Sequence, residues 1–186
     1  YSKPPQEGLY RHFAAIADAT DLAVMLYNIP GRAARRIEVD TLVRLAAHPH
    51  IVAVKDAVDD IEWSRGEIRD LPEGFAVYSG SDKMTRQIIG AGGVGVVSVA
   101  AHLAGERVRA MVDAALAGND EEADRLDAEL RPLFEALFIE PNPIPVKGAL
   151  SAMWDRVGDP RLPLIPASAE TIAQVEASLG VVRDEE

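Results

Sequence analysis

The sequence contains no cysteine, which excludes a disulfide framework, a thiolate nucleophile and a cysteine-ligated zinc site. It lacks any apolar run near the ~18 residues that a membrane-spanning helix needs. Basic residues are scarce: 19 Lys and Arg stand against 30 Asp and Glu, for a net charge of -11. No basic stripe forms, so neither nucleic acid nor an anionic membrane is expected as a partner. The four histidines, at 12, 48, 50 and 102, have no metal-ligand spacing, and there is no HExxH or Walker A sequence. No metal and no cofactor are therefore expected. No signal segment opens the chain, and the absence of cysteine fits a reducing compartment, so a cytoplasmic location is expected. The opening "YSKPPQEGLY" has no initiator methionine and reads like the middle of a loop; the chain is expected to be a fragment.

What is present is a periodic alternation. Apolar residues make up 48% of the chain, enough for a sizeable core. "EGLYRHFAAIADAT" places Leu9, Phe13, Ile16 and Ala17 on one helical face. "AVMLYN", "IVAVK", "FAVYSG" and "VGVVSVA" read as strands starting near residues 23, 51, 75 and 94, with helical segments between them. In "IEWSRGEIRDL" the expected packing residues are Ile61, Ile68 and Leu71. From about Leu103 the strands stop, and four helical segments follow. The last, "SAETIAQVEASLG", has Ser168 as its N-cap and Gly180 past its end.

Strand–helix alternation implies parallel strands with right-handed crossovers. The residues alone leave a doubly wound sheet and a (β/α)8 barrel both open. In either, sites are built at the carboxyl ends of the strands. Tyr27 and Asn28 end the first predicted strand, Lys55 the second, Ser79 and Gly80 the third, Ser98 the fourth.

Lys55 is the lysine among these strand ends. It can snorkel to solvent, pair with Asp56 or Asp59, or act as a buried amine whose depressed pKa frees it to attack a carbonyl. Tyr27, one βα unit upstream, projects over the same rim and can pass protons. Arg32, on the loop after Tyr27, suits two-point binding of a carboxylate. The glycine run "GAGGVGVVS" follows a helix and opens a strand, the reverse of a dinucleotide fingerprint, so it reads as a tight turn.

Taken together and in this order, "YNIPGR", "VAVKDA", "YSGSD", "GGVGVVSVAAH" and "LFIEPNPIPVKGAL" resemble the pyruvate-dependent class I aldolase family, and within it the dihydrodipicolinate synthases. The resemblance runs from Tyr1 to about Gly180. It implies a (β/α)8 TIM barrel followed by a C-terminal helical region, with only strands 5–8 in this chain. Residues 1–102 would be the second half of the barrel, and 103–186 the last barrel helix and the helical region. It implies a lyase in lysine and diaminopimelate biosynthesis, assembled as a homotetramer, in which pyruvate forms a Schiff base on Lys55 and condenses with aspartate semialdehyde.

By the same resemblance Tyr27 relays protons, and Tyr1 crosses a subunit interface to complete a neighbour's relay. Arg32 holds the semialdehyde carboxylate, and Gly80 and Val97 line the pyruvate pocket. The family's paired threonines, on an earlier strand, have no counterpart here. The isolated chain is therefore expected to be inactive. Two alternatives stay open: an aldolase of the N-acetylneuraminate lyase type, which need not keep Arg32, and a non-catalytic truncated paralogue.

Overall fold

Short β-branched and aromatic runs bounded by turn residues become strands, and the amphipathic runs between them become helices. The computed structural model describes residues 2–183. The chain divides into two compact units, one up to Val97 and the other from Ser98.

In the first unit the order is α1 (Gln6–Asp18), β1 (Val24–Asn28), α2 (Pro30–Ala33), α3 (Val39–Ala46), β2 (Ile51–Asp56), α4 (Ile61–Asp70) and β3 (Ala76–Ser79). A short 3-10 turn (Asp82–Met84), α5 (Thr85–Gly90) and β4 (Gly95–Val96) complete it. Among the described residues the strands form one four-stranded sheet in the order β1-β2-β3-β4. Every pairing is parallel. The α/β class and the parallel sheet are as expected from the sequence.

Because side chains alternate across a strand, the register sorts residues into cross-sheet rows. Leu26, Val54 and Val77 align across β1, β2 and β3. All three are buried with Leu42, Leu45, Ile51 and Ile88 in one core cluster, against which Leu9, Phe13, Ile61 and Ile68 pack. Leu71 joins this core, as its spacing predicts. Ile16 does not: it stays 45% exposed, at the edge of the face that buries Ala17.

Other elements differ from the sequence reading. The predicted strand "VGVVSVA" pairs as a strand only at Gly95–Val96, because Ser98 turns away and its Oγ accepts the Ala101 N–H at 2.8 Å. Arg32 sits not on a loop but in α2, a single turn started by Pro30 and closed by Ala34 in the left-handed region (φ 54°). Pro at the first helical position needs no N–H partner, which favours that start.

The second unit is helical: α6 (Ala101–Leu116), α7 (Asp120–Ala136), α8 (Ile144–Met153) and α9 (Ala169–Arg183). Met111, Leu126, Leu130, Leu133, Phe134 and Leu137 are fully buried in it. Asp120, Glu121 and Glu122 occupy the first turn of α7, where negative charge complements the helix dipole. Ser168 Oγ accepts the Thr171 N–H at 3.0 Å, so it caps α9 as expected. Gly180 does not end that helix, which runs on to Arg183. Leu179 and Val182 on either side are buried, and that packing outweighs the roughly 1 kcal/mol a helical glycine costs.

Candidate active site

Two rows close the carboxyl end of the sheet, and they face opposite ways. On the helix-covered side, Asn28, Asp56 and Ser79 align, and each is at most 1% exposed. Buried polar groups need partners, and these find them in the loops that follow their own strands. Asn28 Nδ2 donates to Ile37 O at 3.1 Å, and its Oδ1 accepts the Ile37 N–H at 3.0 Å. Asp56 accepts the Val58 N–H at 2.9 Å and the Ser64 hydroxyl. Ser79 Oγ donates to Ser81 O at 2.7 Å and accepts the Ser81 N–H at 3.2 Å. This row pins the loops at the site edge.

On the other side Tyr27, Lys55, Tyr78 and Gly95 align across all four strands. This face is partly open: Met25 is 42% exposed and Tyr27 44%. Lys55 is half-buried, and its Nζ lies 4.2 Å from the centre of the Tyr27 ring, a cation–π distance. The sequence expectation that Tyr27 shares a rim with Lys55 thus has a geometric basis in the register.

Lys55 and Asp56 point to opposite faces, and the Asp56 carboxylate is taken up by Val58 and Ser64. The pairing of Lys55 with Asp56 considered from the sequence therefore fails. Gly80 lies against the lysine stem. A Cβ there would come within 3.0 Å of Lys55 Cε, 2.9 Å of Ala57 Cβ and 3.0 Å of the Asp56 carbonyl oxygen. Its N–H donates to that same oxygen at 2.6 Å. Only glycine fits where the turn after β3 passes the amine.

Val97 donates its N–H to Ser79 O at 2.9 Å and is 41% exposed. Arg32 is exposed on α2, four residues beyond Asn28. Tyr1 lies outside the described residues. Tyr78 was missed by sequence reasoning, although it immediately precedes the Ser79-Gly80 pair. Its ring lies beside Gly95, where a Cβ would meet two ring carbons at 3.3 Å.

A chain with this row of residues matches known proteins along nearly its whole length. The model of the dihydrodipicolinate synthetase family matches residues 1–181. The 4-hydroxy-tetrahydrodipicolinate synthase of Synechococcus elongatus is 50% identical over 179 residues, covering 96% of this chain and 60% of the relative. Among solved structures, the 4-hydroxy-tetrahydrodipicolinate synthase of Methylacidiphilum fumariolicum SolV superposes with a TM-score of 0.95 at 40% identity. The match covers 100% of this chain and 62% of that one. The chloride-inhibited dihydrodipicolinate synthase of Acinetobacter baumannii, complexed with pyruvate, gives a TM-score of 0.93 at 38% identity, covering 98% of this chain and 62% of that one. The chain thus spans about 60% of the length of the curated relatives it matches.

Proposed function

This chain belongs to the dihydrodipicolinate synthetase family, and on that premise we propose that it carries the Schiff-base-forming part of a 4-hydroxy-tetrahydrodipicolinate synthase. The proposed reaction is the condensation of pyruvate with aspartate semialdehyde in lysine and diaminopimelate biosynthesis. One observation carries it: Lys55 stands on the open sheet face, between two tyrosines in register, beside a glycine that leaves its stem room.

In the proposed mechanism the free amine of Lys55 adds to the keto carbon of pyruvate. Protonation lets the former keto oxygen leave as water, and an imine remains. Loss of a methyl proton gives the enamine, whose carbon attacks the aldehyde carbon of the semialdehyde. The semialdehyde's own amine then adds to the imine carbon, closes the ring and expels Lys55 unchanged. Tyr27 passes the protons in and out, since its phenol is both donor and acceptor. Arg32 holds the semialdehyde carboxylate, Gly80 and Val97 line the pyruvate pocket, and Tyr1 completes a neighbouring subunit's relay.

The four parallel strands are read as strands 5–8 of a (β/α)8 barrel, residues 1–102 as its second half and 103–186 as the last barrel helix with the helical region. A cytoplasmic homotetramer follows by family likeness. The synthase name carried by the relatives favours this reading over the N-acetylneuraminate lyase one. The isolated chain, without the strand that bears the paired threonines, is expected to turn over no substrate.

The test is reductive trapping. A full-length protein carrying this sequence is incubated with pyruvate and borohydride, digested and mapped. A stable adduct on the Lys55 peptide supports the reading, and an unmodified Lys55 with adduct elsewhere, or none, refutes it. Turnover by the 186-residue chain at the full-length rate would refute the dependence on the missing strand.

A further inference from the structure

Directly behind Lys55, the helix-covered side of β2 holds two acids where an apolar core would be expected. Glu67 of α4 is 0% exposed and Asp56 of β2 is 1% exposed. Ser64 of α4 donates its hydroxyl to Asp56, and Glu67 lies one turn further along that buried helix face, so the two acids share one dry layer. An ionised carboxylate only accepts hydrogen bonds, and two ionised carboxylates in one dry layer would repel without repayment, so one of them holds a proton. The distribution of donors says which. Asp56 already receives the Val58 N–H and the Ser64 hydroxyl, whereas among the described residues neither Glu67 oxygen receives any donor. Donors stabilise the charged form, so the charge belongs on Asp56 and the proton on Glu67.

We propose that Glu67 stays a neutral carboxylic acid at physiological pH and donates its proton to Asp56, acting as a positioning residue for the end of β2 that carries Lys55. Burial and the neighbouring charge of Asp56 push the Glu67 carboxyl up to about 9. Other charged groups on the packed elements are occupied or outward. Arg44 of α3 bonds Glu7 and lies over the Tyr10 ring, and Asp40 is exposed. Arg86 of α5 lies beside Gly90. On α4 itself Arg65 pairs with Glu62, and Arg69 with Asp70.

The mechanical link is short. Asp56 immediately follows Lys55, its side chain holds Val58, and its carbonyl oxygen holds the Gly80 N–H against the lysine stem. A protonated Glu67 therefore fixes the backbone on which the amine stands. Ionised, it would set two like charges together in a dry layer, and the end of β2 would loosen. The positioning role rests on the reading of Lys55 above; the proton on Glu67 does not.

The sign of the pH effect follows from linkage. Folded Glu67 keeps its proton up to about 9, while in the unfolded chain it ionises near the ordinary 4.5. Its stabilising contribution is complete below pH 4.5 and is lost as pH rises through 9, by up to about tenfold in the folding equilibrium per pH unit between them. The test compares a full-length protein carrying this sequence with its Glu67→Gln and Glu67→Leu variants. Infrared spectra at pH 7 should show a protonated-carboxyl C=O band that Glu67→Gln removes. Urea melts from pH 5 to 9 should show wild type losing stability relative to Glu67→Gln, whose amide can still donate to Asp56. Exchange of the Val58 amide should speed at least about tenfold in Glu67→Leu and return to wild type in Glu67→Gln.

Absence of the infrared band, or parallel melts, overturns the neutral acid. Unchanged Val58 exchange in Glu67→Leu overturns the positioning role. If Glu67→Leu fails to fold, a Val58 protection factor, taken relative to the base-catalysed intrinsic rate, that falls above pH 9 in wild type but not in Glu67→Gln decides the same point. Failure of pyruvate to trap on Lys55 removes the proposed function and leaves the infrared result standing, so the two are separable.

Discussion

Lys55 and Asp56 are chain neighbours in opposite surroundings. Lys55 stands half-buried on an open face beside Tyr27, and Asp56 is sealed into a layer of helices with all its contacts internal. The same holds on β1 and β3: Tyr27 against Asn28, Tyr78 against Ser79. The closed face spends its polar groups on holding loops. The open face keeps its polar groups available. A strand's two-residue period thus separates rigidity from reactivity at one end of one sheet.

Substitutions on the two faces should accordingly fail in different ways. The largest effect expected is Lys55→Met, which should abolish reductive trapping of pyruvate completely in a full-length protein while changing its unfolding free energy in urea by no more than about 0.5 kcal/mol. A destabilisation of several kcal/mol would erase the contrast. Next is Leu26→Ala on the closed face, where deletion of a side chain only 2% exposed should cost about 2–5 kcal/mol. The trapped fraction at saturating pyruvate should stay unchanged well below the transition. Smallest is Gly80→Ala, which touches both faces through the turn. The added methyl is crowded by Ala57, the Asp56 carbonyl and Lys55 Cε, so a loss of about 1–3 kcal/mol is expected. Slower trapping than in Leu26→Ala, measured at equal fraction folded, would sharpen the contrast.

Much of this arrangement was legible in the sequence, because it rests on periodicity. Strands expected near 23, 51, 75 and 94 begin at Val24, Ile51, Ala76 and Gly95, and the lysine-ended strand was visible as a run of small apolar residues. What stayed hidden was direction. Nothing in "IEWSRGEIRDL" marks Glu67 as an inward residue, because a helix of mixed charge has a packed face only once its neighbours are known. Ile61 and Ile68 were found, and the acid between them was not singled out. Tyr78 hid for the opposite reason, since an aromatic in a strand is ordinary core material. Ser98 looked like a site residue at a strand end, yet its hydroxyl serves the start of α6. Composition identifies which groups are capable of chemistry; register decides which of them meet.

The strand order β1-β2-β3-β4 repeats the order of synthesis. At about 5–20 residues per second a ribosome releases the next strand of this sheet within seconds of the last, far longer than loop closure needs. Each newcomer therefore meets a neighbour that has already emerged. The apolar row grows by one residue per strand, from Leu26 to Val54 to Val77, so nascent chain can bury its grease as it leaves the tunnel without waiting for its far end.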